Sequence, residues 1–140
     1  QLGAGIILPK EGNIFLSVAE RHKEQIKELA KRLHAMGFML MATEGTAARI
    51  EEAGIPVQRV KKIAEGHPNL IDYLIDGDVM LALNTPNGKG ARTDEGKIRA
   101  TAVQHGVPCI TTIQAAEAAV KAMEALTEEE MDVQALQDRY

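Results

Sequence analysis

Apolar residues gather in five short runs along the chain: Ile14–Val18, Phe38–Ala42, Val57–Val60, Val79–Leu83 and Val107–Ile110. Runs of this length read as strands. Between the first two, Ile26, Leu29, Ala30 and Leu33 recur at the spacing of one helix face. Gly37, Gly54, Gly77 and Gly106 each stand just before a strand, where a left-handed helix cap places glycine. Strand and helix therefore alternate. The economical fold is α/β: a three-layer α/β/α sandwich on a five-stranded parallel sheet, with right-handed crossovers.

Two segments lie outside that alternation. After the fifth strand an alanine-rich helix is expected over about Gln114–Ala125. The run Thr127-Glu128-Glu129-Glu130 then reads as a capping box that opens a separate acidic helix carrying Met131, Val133 and Leu136. At the other end, Gln1–Gly12 holds Gly3, Gly5, Pro9 and Gly12 with no clear period. It reads as a linker or junction, with the domain proper over 13–140, cut from a larger chain.

Composition narrows the function classes. The chain of 140 residues suits one domain with a substantial core. A net charge of −4 argues against nucleic-acid binding, and the absence of Trp disfavours a stacking platform for single strands. No apolar run approaches the roughly 18 residues of a membrane span, and no signal peptide is visible. The single cysteine, Cys109, excludes an intrachain disulfide and suits the cytoplasm.

The most informative stretch is Asn84-Thr85-Pro86-Asn87-Gly88-Lys89-Gly90, which follows the fourth strand. In an open parallel sheet, ligands sit beyond the carboxyl ends of the strands. The other strands lead into comparable residues there: Lys23, Thr43-Glu44-Gly45-Thr46, Lys61 with Lys62, and Thr111 with Thr112. Lysines, hydroxyls and an amide would converge on one edge, beside helix N-termini that carry unpaired N–H groups. That combination suits a phosphate. Each member also has a plainer reading. Thr43 and Thr46 can cap a helix, Lys61 and Lys62 can be solvated, and Asn84 with the loop glycines can form turns. Glu44 and Glu95 must point away or bond a sugar.

Catalytic patterns are poor. His22, His34, His67 and His105 have no metal-ligand spacing with Cys109, which reads as a small residue packed within a strand. No Gly-rich nucleotide fingerprint is present. The edge looks built to bind.

The same segments resemble the methylglyoxal-synthase-like regulatory domain at the carboxyl end of the carbamoyl phosphate synthetase large subunit. The resemblance is carried by Gln1-Leu2-Gly3-Ala4-Gly5, Phe15-Leu16-Ser17-Val18, Ala42-Thr43-Glu44-Gly45-Thr46-Ala47, Glu52-Ala53-Gly54-Ile55 and Asn84-Thr85-Pro86. It implies a five-stranded parallel sheet with a phosphate-binding edge. It implies nucleotide effectors, with uridine monophosphate inhibiting and inosine monophosphate activating in some bacteria, or N-acetylglutamate in animal urea-cycle forms. Lys23, Thr43, Thr46 and Lys62 would hold the phosphate, and Asn84 with Thr85 would address ribose or base. Thr85-Pro86 departs from forms with two threonines, and Glu95 stands where a serine can lie, which leaves effector identity open. The resemblance implies no cofactor in this domain, while the parent ligase uses ATP with magnesium or manganese. Partners would be the rest of the large subunit and the glutaminase small subunit, while the apolar residues of the terminal helix leave open a second copy and a mainly structural role as an oligomerisation surface. Methylglyoxal synthase itself uses a Gly-Asp pair and a second aspartate to move protons. Here Gly66-His67 and Asn84 occupy those places, so enolisation lacks an evident base.

Overall fold

The computed structural model describes residues 12–85 and 92–138. The expectations placed on Gln1–Glu11, on Pro86 through Ala91, and on the side chains of Glu95, Met131, Val133 and Leu136 lie outside the described residues. The elements run β1 (Asn13–Ser17), α1 (Lys23–Ala35), β2 (Met39–Thr43), α2 (Glu44–Glu52), β3 (Gln58–Val60), α3 (Leu70–Asp76), β4 (Leu81–Asn84), α4 (Arg92–Gln104), β5 (Cys109–Ile110) and α5 (Ile113–Asp138). Short 3-10 turns lie over Glu20–His22 and Ile63–Glu65.

All five strands are parallel, in the order β3-β2-β1-β4-β5. The chain winds outward from β1 in one direction and then returns to build the other half. This makes the β1/β4 boundary the point where strand order reverses. Two separate apolar clusters flank the sheet, as the alternating pleat requires. On one face Ile14, Leu16, Leu40, Ala42, Leu81 and Leu83 meet Ile26, Leu29 and Leu33 of α1, Ile50 of α2 and Val120 of α5. On the other, Phe15, Met41, Val60 and Ala82 meet Leu70 and Leu74 of α3 and Ile98 and Ala102 of α4. The helix face read from the sequence, Ile26, Leu29, Ala30 and Leu33, is fully buried.

Strand existence agrees with the sequence reading, while the boundaries move. Phe38, Val79 and Val107 are buried but precede the ladder. Hydrophobicity marks burial, whereas strand limits follow backbone pairing; Asn13, a polar residue, opens β1 opposite Met39. Its amide donates to the Asp78 carbonyl at 2.8 Å. Gly77 ends α3 in the left-handed region (φ 80), as its place before a strand predicts.

The expected break at Thr127 is a correction. α5 continues through it to Asp138. The Thr127 hydroxyl donates to the Met123 carbonyl one turn earlier at 2.9 Å, so it is spent inside the helix and does not cap a new one. The glutamates that follow are good helix formers, and no Gly or Pro interrupts the segment.

α3 is secured at its start by Asn69. Its side chain accepts from the Ile71 N–H at 2.9 Å and donates to the Gly66 carbonyl at 2.8 Å. Asp72 accepts from the Asn69 N–H at 2.8 Å and pairs with His67 at 2.7 Å. The His67 hydrogen bond, then the backbone bond, holds the Asp72 carboxyl below its ordinary value. Asn69→Ala is expected to cost about 1–2 kcal/mol. Urea denaturation at neutral pH measures this, and no change would show that the cap is redundant.

Candidate functional site

The carboxyl ends of β1, β2 and β4 lie side by side. Ser17 pairs in register with Asn84, and Leu16 with Ala42, which brings Thr43 beside Ser17. Three adjacent strands span about 10 Å of this edge. The chain leaving β1 is bonded to both neighbours. Ser17 Oγ lies 3.1 Å from Thr43 Oγ1, the Val18 N–H donates to Thr46 Oγ1 at 3.2 Å, and the Ala19 N–H donates to Thr85 Oγ1 at 2.8 Å.

Lys23 is the centre of the arrangement. It opens α1, yet only 8% of it is exposed. Its ammonium donates to the Val18 carbonyl at 2.9 Å and to Thr46 Oγ1 at 3.2 Å. An ammonium has three protons, so one is left without a partner in these contacts. Burial pushes the Lys23 pKa down; Glu20 opposes this, and Lys62 and Arg49 add to the depression. A cation that is buried, held by neutral oxygens and pressed by two further cations is a site that favours an anion.

The start of α2 adds to this. Thr43 occupies the N-cap position, but its side chain makes no capping bond. Its hydroxyl is turned to Ser17. The first N–H groups of α2 therefore face the edge without a side-chain cap, next to Lys23. Gly45 keeps this approach open: a Cβ there would stand 3.4 Å from Lys23 Nζ. Thr46 is wholly buried, and its oxygen already accepts from Val18 and Lys23. Its own hydroxyl proton remains as a donor. Glu44 points away, as required, toward the Arg59 guanidinium at 3.6 Å.

The six residues read from the sequence fall into three groups. Lys23, Thr43 and Thr46 form one cluster. Lys62 is exposed and close enough to act on Lys23 through its field, without a bond between them. Its backbone N–H is held by the Glu65 carboxylate at 2.7 Å. Asn84 stands half-buried across from Ser17, and Thr85 is buried, bonded to Ala19 and 3.5 Å from His22 Nδ1. Lys61 and Thr112 take the plainer roles. Lys61 donates to the His67 carbonyl at 3.3 Å, and Thr112 caps α5 by accepting from the Ala115 N–H at 3.1 Å. Sequence reasoning passed over Ser17, Gly45, Glu20 and Arg49 as site residues. Ser17 carried a usable signal as the last residue of the central strand. Burial raises the Cys109 thiol pKa, and it packs against the second apolar cluster.

Among the described residues, no group of three His, Cys, Asp or Glu side chains could hold a metal ion, and no helix is long and apolar enough to cross a membrane.

Comparison with known proteins bears on the family and the fold. The profile of the family described as MGS-like domain matches residues 25–111. The carbamoyl phosphate synthase large chain of Rhodopirellula baltica is 64% identical over 140 residues, covering all of this chain and 13% of that protein. The C-terminal section of the same large chain in Methanopyrus kandleri is 47% identical over 139 residues, covering 99% of this chain and 26% of that one. The chain thus spans only a small part of the length of these relatives. Among solved structures, methylglyoxal synthase from Elizabethkingia anophelis superimposes with a TM-score of 0.66 at 19% identity, covering 81% of this chain and 79% of that one. This likeness supports the five-stranded parallel fold.

Proposed function

The chain belongs to the MGS-like domain family, and on that premise we propose that it is the effector-binding domain of a carbamoyl phosphate synthase large chain. The parent enzyme would be an ATP-dependent ligase that makes carbamoyl phosphate from bicarbonate and glutamine-derived ammonia for pyrimidine and arginine synthesis. Its partners would be the remainder of that chain and the glutaminase subunit. The effector is a nucleoside monophosphate of the uridine or inosine type.

One observation carries the reading: the buried Lys23 ammonium beside the uncapped start of α2. A phosphate there takes the third ammonium proton, the α2 N–H groups and the Thr46 hydroxyl proton, with Lys62 adding charge from the rim. The edge runs on from this cluster past Ser17 to Asn84, along the direction a ribose and base would extend. The domain's role is to bind, without chemistry of its own. His67 follows Gly66 and is bonded to Asp72 as part of the α3 cap, and Asn84 ends β4. Neither offers the free carboxylate that enolisation of a sugar phosphate needs. Regulation then requires that the effector prefer one state of the parent enzyme, and about 1–3 kcal/mol of coupling suffices.

Calorimetric titration with uridine monophosphate, inosine monophosphate and uridine tests this. The monophosphates are expected to bind and the nucleoside to fail. Equal binding of uridine would remove the phosphate anchor. Silence from all three would turn the reading toward an assembly role.

A further inference from the structure

The amino-terminal edge of the sheet, opposite the candidate site, carries an apolar groove. β3 begins at Gln58, in register with Met41, so the first two residues of β2, Met39 and Leu40, overhang it. The space left is a groove of about 240 Å³, lined mostly by apolar groups that include Phe38, Met39, Leu40, Pro56 and Val57. Phe38 and Leu40 are buried, whereas Met39 is 67% exposed. A single exposed apolar side chain is ordinary. Here it stands beside a hollow. The chain enters β1 at the margin of this groove: the Met39 N–H donates to the Gly12 carbonyl at 3.1 Å, and Asn13 is part of the lining. Gly12 has a φ of 116, which lets the backbone turn there. The Met80 side chain lies where a Cβ on Gly12 would stand, which leaves the side toward Met39 for the incoming chain.

We propose that Ile6-Ile7-Leu8, from the chain's own first residues, fills this groove and closes the hollow between β2 and β3. Residues 1–11 lie outside the described residues, and within them these three form an unbroken apolar run. Extended chain covers about 3.5 Å per residue, so positions 8 to 6 lie within reach of points roughly 14–21 Å from Gly12. Two strand spacings, from β1 across β2 to β3, amount to about 10 Å. The run therefore reaches the groove with chain to spare. Residues 86–91 offer no such run and leave from the carboxyl end of β4, at the opposite edge. The stretch that reads as a junction thereby contributes to the packing of the domain. It is seated at one end of β2, the strand whose other end, Thr43, lies in the candidate site. The proposal does not depend on the effector reading.

The test is NMR on the 140-residue chain labelled at the methyl groups of Ile, Leu, Val and Met. Overhauser contacts are expected from Ile6, Ile7 or Leu8 to Met39 and Val57. Their absence, or contacts from the run to Met80 and Ile75 alone, overturns the proposal. A sample mixed from two differently labelled batches separates contacts within a molecule from those between molecules. Contacts seen only between molecules would make a second copy the occupant and overturn it too. The joint variant Ile6→Ser, Ile7→Ser and Leu8→Ser is expected to melt several degrees lower. It should also move the Met39 methyl signal while leaving that of Val103, exposed on α4, in place. An unchanged Met39 signal would contradict the seat in the groove. Should the variant fail to fold, the contacts within the parent chain still decide.

Discussion

Lys23→Met is expected to weaken uridine monophosphate binding by about 1–3 kcal/mol, roughly one to two orders of magnitude, without lowering thermal stability at neutral pH. Both halves follow from the same atoms. The ammonium provides the charge-assisted hydrogen bond at the core of the site, and removing it leaves Lys62 on the rim as the nearer remaining lysine. For the fold, however, the ammonium is a burden, because burial lowers its pKa from 10.5. A lysine with a depressed folded-state pKa opposes folding at every pH below that value. The penalty fades as pH rises from the folded pKa toward 10.5. Methionine removes the penalty and fills similar space, at the cost of leaving the Val18 carbonyl without its donor. That orphaned carbonyl offsets part of the gain. Melting curves at pH 7 and near pH 10 measure the balance: the parent should gain on the variant in the alkaline range. A variant that melts far below the parent at neutral pH would make Lys23 a structural strut, and the anion site would lose its centre.

Thr46→Val is expected to be the more damaging change to stability, by about 2–4 kcal/mol, although it alters one heavy atom in shape-conserving fashion. The Thr46 oxygen accepts from the Val18 N–H and from Lys23, both in buried surroundings. Valine leaves two donors without an acceptor, one of them charged, and this orphaning is the costly side of hydrogen-bond energetics. Chemical denaturation gives the loss directly, and binding should fall with it because Lys23 is then held by the Val18 carbonyl alone. Binding lost with stability intact would place the Thr46 hydroxyl on the ligand alone. Thr46 is a latch that joins the chain leaving β1 to α2 and holds Lys23 in place.

Much of this was legible in the sequence, for physical reasons that differ by element. Ile26, Leu29, Ala30 and Leu33 announce α1 because burial on one face forces helical spacing, and all four are buried. Lys23 opens α1, and a cation at a helix start is unfavourable unless something anionic offsets it. The roles of Thr43 and Thr46 were not separable. Each suits a cap, and only the sheet order, which sets β1 against β2, turns one toward Ser17 and the other toward Val18. Glu20 and Arg49 are 29 residues apart, and their proximity depends on how α1 and α2 pack. At Thr127 the local pattern misled, because its hydroxyl satisfies a carbonyl one turn back as readily as a cap.

The hydrogen bonds that tie Ser17, Val18 and Ala19 to three threonines carry a kinetic consequence. They fix the carboxyl end of the central strand to Thr43, Thr46 and Thr85 through bonds within the fold itself. An incoming anion at this part of the edge meets groups already in place and waits for no rearrangement of them. Encounter rates should then differ little from one anionic effector to another. On the effector-site reading proposed above, selection between them would fall on residence time, and the domain would tell its ligands apart by how long each one stays.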